Sequence, residues 1–96
     1  MEYQYENIRD DAVSVGTTST LLTRAHPRNE IVITNTSTAA QAITLSFGKP
    51  AVATFGVLLQ PYSVYFASNT QGFNVYQGDI YAVASAALGQ VSIFER

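Results

Sequence analysis

The sequence predicts an all-β fold: a single antiparallel β-sandwich of about eight short strands, jelly-roll-like, with an extended N-terminal arm. Three observations carry this. In "AITLSF" the residues Ile43, Leu45 and Phe47 alternate with Ala42, Thr44 and Ser46, the period-two pattern of a half-buried strand, and similar short runs recur. Turn-forming groups interrupt the chain roughly every 8 to 12 residues, as in sandwiches and barrels. No segment carries the long 3.6-residue apolar stripe of a helix packed on a core. A chain of 96 residues has enough material for one core and too little for two.

The first element is a charged leader, residues 1–11, "MEYQYENIRDD". Five of the chain's charged residues fall there, Glu2, Glu6, Arg9, Asp10 and Asp11. Tyr3 and Tyr5 alternate with Glu2, Gln4 and Glu6, which favours an extended arm held by something other than itself. Residues 12–96 form the sandwich domain, with strands expected near 12–15, 18–23, 30–35, 42–47, 56–60, 63–67, 73–76, 80–85 and 90–95. Breakers separate them: "HPRN", "NTST", "GKP", "QP", "SNTQG", "QGD" and "ALG". "RAHPRN" reads as a hairpin loop, and so does "ASAALG", since so few residues do not nucleate a helix alone. Phe47, Phe66 and Phe94 fit the core, which points Tyr65 to the opposite face of its strand.

The charge pattern excludes several functions. Only Lys49 and Asp79 are charged between Ile31 and Phe94. A net charge of −2 with five Lys and Arg argues against nucleic-acid binding, which needs clustered cations. There is no cysteine, and therefore neither a disulfide nor a thiolate metal site. No apolar run is long enough to span a membrane.

Catalytic motifs are missing too. His26 is the one histidine; its nearest acid in sequence is Glu30, and it reads as a solvated loop residue. "FGKPA" is a turn, because Pro50 follows Lys49 where a phosphate loop needs a hydroxyl residue and a helix. "NTS" at residues 35–37 matches a glycosylation acceptor, a pattern that arises often by chance, and is read as loop. Asp79 in "QGDIYAV" reads as a turn residue whose side chain bonds a nearby backbone N–H. No catalytic residue, cofactor or metal ligand is assigned, and the chain is expected not to be an enzyme.

The remaining question is what covers a strand surface rich in Thr, Ala and Tyr and poor in ions. Depletion of charge with retention of tyrosine is the composition of an interface core, so much of the surface is expected to face copies of this chain or a larger scaffold. Tyr3, Tyr5 and Ile8 on the arm, and Tyr62, Tyr65 and Tyr76 on the body, are the candidate contacts. Stacked tyrosines could alternatively bind sugars.

The stretch "ITNTSTAAQAITLSFGKPAVATFGVLLQPYSVYF", followed by "QGDIYAVASAALGQVSIFE", resembles the small β-rich virion proteins of tailed bacteriophages. The resemblance covers residues 13–95 and rests on "NTS" after an apolar strand, a G-x-P-A turn, a G-[VI]-x-L-x-P step and a terminal G-D-I-Y-A-[VI]-A…G…[VI]-S hairpin. Tyr62 departs from it, standing where the pattern has glycine. The resemblance implies capsid decoration, a head fibre base or a tail accessory role. Of these, a decoration or cement protein bridging capsomers is the leading expectation. Its partners would be the major capsid protein or other virion subunits, and it would assemble in the host cytoplasm as a homo-oligomer, a trimer to match shell three-folds. A tail or head-to-tail subunit, or a carbohydrate-binding β-sandwich module, is the alternative.

Overall fold

A computed structural model describes residues 9–38, 41–69 and 74–96. They form eight strands: β1 Arg9–Val15, β2 Thr20–Thr23, β3 Glu30–Asn35, β4 Ile43–Phe47, β5 Val57–Leu59, β6 Val64–Ser68, β7 Ile80–Ala84 and β8 Gly89–Glu95. These make two four-stranded sheets, sheet A in the order β1-β8-β3-β6 and sheet B in the order β2-β7-β4-β5. All pairings are antiparallel. The pairing is nested: first strand with last, second with seventh, third with sixth, fourth with fifth.

The sheets pack face to face as a sandwich around a core that is almost wholly aliphatic. Sheet A contributes Val15, Ile31, Ile33, Val91 and Ile93; sheet B contributes Leu22, Ile43, Leu45, Leu59, Ile80, Ala82 and Ala84. β-Branched side chains suit this pleated, close-packed interior. β3 and β8 show the alternation most plainly, with every second residue buried. In β2, Leu22 and Thr23 are both buried because the register against β7 shifts between Leu21 and Thr23, a bulge that turns two consecutive residues inward.

Several expectations are corrected. The loops after β2 and after β7 are not hairpins, since each joins strands of different sheets; only β4 and β5 are consecutive neighbours. The expected arm reaches Asp11, but Arg9, Asp10 and Asp11 pair with Glu95, Phe94 and Ile93 in sheet A. Residues 74–76 are not a strand. Phe66 is 45% exposed and Phe94 is only partly buried, whereas Tyr65 packs against the core. The phase of β6 is thus opposite to expectation: Tyr65 and Ala67 lie against Ile33 and Ile31, the core residues of β3, so Val64 and Phe66 turn outward.

Candidate functional site

Nesting has a geometric result that decides where the charges go. The described residues of the loops 16–19, 36–42, 60–63 and 85–88 all fall at one end of the sandwich, where β1 and β3 finish and β6 and β8 begin. None of those residues is ionisable except Tyr62. At the other end are the described residues of the loops 24–29, 48–56 and 69–79, with the start of β1 and the finish of β8. Every Asp, Glu, Lys, Arg and His among the described residues sits at or near that second end.

The charge-free end is a network of buried polar contacts. Asn35 is fully buried; its Nδ2 donates to the carbonyls of Gln41 (2.8 Å) and Leu59 (2.9 Å), and its Oδ1 accepts from the Ser37 N–H (3.0 Å). The Asn35 carbonyl accepts from Tyr62 N–H at 2.7 Å, and Ser85 N–H donates to the Ala42 carbonyl at 3.0 Å. Gln41 Nε2 donates to the Ala87 carbonyl. In this folded chain the "NTS" asparagine is a clamp between the loop that follows β3 and the end of β5 with the turn after it, enclosed and inaccessible to a glycan-transferring enzyme.

Two large apolar side chains project from this end. Leu88 is 88% exposed and Tyr62 is 73% exposed, and both have left-handed backbones, φ 68° and 65°. Tyr62 follows Pro61 in a turn closed by Ser63 N–H donating to the Gln60 carbonyl at 2.9 Å. This is a type II arrangement, in which glycine is preferred at the third position. The departure from glycine noted in the sequence therefore falls where a side chain strains the backbone.

The tyrosine candidates separate in the structure. Tyr62 is exposed, while Tyr65 and Tyr76 flank Phe47 with ring centroids 5.3 Å and 5.4 Å away and close the core near the charged end. Burial pushes the Tyr65 phenol above its ordinary pKa, and the Arg28 charge pulls weakly the other way. Tyr3, Tyr5 and Ile8 lie outside the described residues.

The outward sheet faces are poor in ions. On sheet A the pairings set Asp10, Phe94, Val32 and Phe66 in one row, and Ala12, Ser92, Thr34 and Val64 in the next. Asp10 is the sole charge in either row, and Val64 and Phe66 are 52% and 45% exposed. On sheet B the rows are Leu21, Tyr81, Ser46 and Val83, Thr44, Leu58. The loop 48–56 folds over part of that face, with Thr54 N–H donating to Thr44 Oγ1 at 3.1 Å, and it exposes Val52 and Phe55. Gly56 permits this turn, having φ 139° where a Cβ would strike the Leu45 carbonyl.

The charged end holds a cleft of about 890 Å³ lined by Arg9, Arg24, His26, Arg28, Glu95 and Arg96, among others. Glu95 is buried and in phase with the core residues of β8. Its Oε1 accepts from Thr23 Oγ1 at 3.0 Å and lies 2.8 Å from His26 Nε2. Its Oε2 faces the Nε of the buried Arg28 at 3.5 Å. The Arg28 guanidinium also donates to the carbonyls of Tyr76, Gly78 (3.2 Å) and Arg24 (3.0 Å). Asp79 Oδ1 accepts from Ala25 N–H at 2.6 Å, tying distant loops together rather than bonding within its own turn. The Thr23 hydroxyl proton and most of the Arg28 donors are thus committed to internal acceptors, which makes the cluster a cross-brace between β2, β8 and the loop 24–29.

His26 is exposed, as expected, and the carboxylate beside it is that of Glu95. The signal for Glu95 was present in sequence: "QVSIFE" places a carboxylate in step with Val91 and Ile93. No described cluster of His, Cys, Asp or Glu could hold a metal ion, and no described helix is long and apolar enough to cross a membrane. Comparison with known protein families, curated proteins and solved structures finds no match.

Proposed function

We propose that this chain is a virion structural protein, a jelly-roll subunit that decorates or cements the outside of a capsid as a homo-oligomer and carries no catalytic activity. The observation that carries the reading is the segregation of charge along the strands. One end lacks ions yet exposes Leu88 and Tyr62 on strained backbones, and exposed strained apolar residues are retained where contact with a partner compensates them. That end rests on the shell, and the charged end faces water. The β1-β8-β3-β6 and β2-β7-β4-β5 orders support the jelly-roll part of the reading, an architecture common in capsid and lectin domains.

The mechanism is mass action: a subunit that binds assembled shell and not its dissociated parts stabilises the shell in proportion to its occupancy. Mass spectrometry of purified particles tests this. A copy number comparable to the major shell protein supports decoration, a few copies per particle move the role to the tail or head-to-tail junction, and absence from particles refutes both. A carbohydrate-binding role has weaker support, because Tyr65 and Tyr76 turn onto Phe47, and among the described residues no ring pairs with Tyr62 to build a platform.

A further inference from the structure

The sheet edges differ in how well they are guarded. Sheet B ends on β2, four residues with a bulge, and on β5, three residues; short or kinked edges offer little to pair with. Sheet A ends on β1 and β6, of seven and five residues. β6 contains no charge, proline or bulge, the usual devices that stop an edge from recruiting another strand.

Hydrogen-bond phase identifies the groups on offer. Asn35 N–H donates to the Ser63 carbonyl (3.1 Å) and Asn69 N–H to the Asn29 carbonyl (2.9 Å). Antiparallel bonds alternate residue by residue, so Tyr65 and Ala67 bond to β3, and the backbone groups of Val64 and Phe66 turn to the open side. Thr36 N–H donates to the Gln90 carbonyl (3.0 Å). By the same alternation Val91 and Ile93 bond to Val13 and Asp11, leaving Ala12 and Ser14 to direct their backbone groups away from the sheet. The side chains of Val64, Phe66, Ala12 and Ser14 all lie on the outer face of sheet A. No described strand lies beyond either edge.

We infer that β6 of one copy pairs with β1 of a second copy, so that sheet A runs on from molecule to molecule. In a four-stranded antiparallel sheet the two edge strands run in opposite directions. A second copy added edge to edge in the same orientation therefore continues the antiparallel ladder, with Val64 and Phe66 against the Asp10, Ala12 and Ser14 side of its β1. Phe66 then lies beside the outer-face side chains of the next subunit's β1. A β6–β6 pair would invert one molecule and send the two charge-free ends in opposite directions, so the choice of β1 as partner rests on the shell-facing role proposed for that end. Repeated by rotation, a head-to-tail contact of this kind closes into a ring, of which the trimer expected from shell symmetry is one form. So few paired residues fall well short of the ~1,600 Å² of a standard interface. The contact is accordingly weak in solution and reinforced when a surface holds copies side by side.

Two edge variants test this in the full chain. Phe66→Pro removes a donor on the open side of β6, and Ser14→Pro does the same on β1; both leave the internal ladders intact. The readouts are sedimentation over a concentration series and amide exchange at Val64, Phe66, Ala12 and Ser14. The expected result is a concentration-dependent oligomer in which those four amides slow by about ten-fold or more as concentration rises. Each variant alone is monomeric, and an equimolar mixture forms a one-to-one complex, since each supplies the edge that the other lacks. If either variant loses the circular dichroism of the folded chain, the exchange measurement on unaltered protein decides alone. The inference is overturned by unaltered protein that stays monomeric with no slowing of these amides. Loss of the oligomer with Phe66→Pro but not with Ser14→Pro, or its survival in both, also overturns it. The virion role fails on different grounds, by absence from particles.

Discussion

At one end of the sandwich, Glu95, Arg28, His26 and Thr23 hold the strands together through ions and charged hydrogen bonds; at the other, Asn35 and Gln41 do so through neutral amides. Both ends solve the same problem, satisfying the polar groups of loops that cross between sheets. The difference lies in what each leaves on the outside. The charged braces come with a solvated surface of Arg9, Arg24, Lys49 and Arg96. The amide clamp allows an end with no ion, and there Tyr62 and Leu88 are exposed. Stability alone does not demand this asymmetry, and the proposed partner contact rests on it.

The comparison can be broken at either clamp. The largest effect is expected from Glu95→Ala, which leaves Arg28 buried without a counter-charge. Removing one member of a buried pair typically costs about 3–5 kcal/mol, and urea unfolding should show a loss of that order, with Glu95→Gln losing less because it keeps an acceptor for Thr23. Next comes Asn35→Ala, which strands the carbonyls of Gln41 and Leu59 and the Ser37 N–H. A loss of about 2–4 kcal/mol is expected, and it should appear equally with or without added salt, in contrast to changes among the exposed ions at the charged end.

The third change sharpens the contrast instead of breaking it. Tyr62→Gly relieves a left-handed tyrosine and should stabilise the isolated protein by about 1 kcal/mol, seen as a Tm several degrees higher. On the proposed virion role, the same variant should bind particles more weakly. A variant that is more stable and binds equally well would remove Tyr62 from the contact. The smallest effect concerns Tyr65. Its raised pKa means that the folded state holds the phenolic proton more tightly than the unfolded chain, whose value is 10.0. The associated stability is complete below that pH and is lost as pH rises through the folded-state value. Tyr65→Phe should therefore flatten the alkaline part of the stability profile and leave the neutral part nearly unchanged.

The strands were largely readable from sequence, because Ile43 and Leu45, or Val91 and Ile93, alternate with polar neighbours. Where alternation is absent the phase is not: "SVYFAS" is apolar or small throughout, so nothing local decides whether Tyr65 or Phe66 faces inward, and Ile31 and Ile33 on the adjacent strand decide it. Gly, Pro and Asn mark where the chain turns but not which sheet it enters next, which is why two crossings were read as hairpins. The charge-free end was hidden for the same reason. Arg24, Lys49, Asp79 and Glu95 are scattered through the sequence, and only the nested order of strands collects them on one side. At Gln60–Ser63 the turn was legible in Pro61, but the left-handed backbone of Tyr62 was not, since tyrosine rarely adopts it.

Nested pairing also has a consequence for how the molecule comes into being. Only β4 and β5 can join through a local loop; every other ladder waits for a partner further away, and β1 is separated from β8 by all the intervening chain. Assembly should thus proceed outward from the middle of the sequence, slowly for a protein of this size because most contacts close large loops. Until β8 is synthesised and slots between β1 and β3, β1 has no strand to pair with and sheet A is split in two.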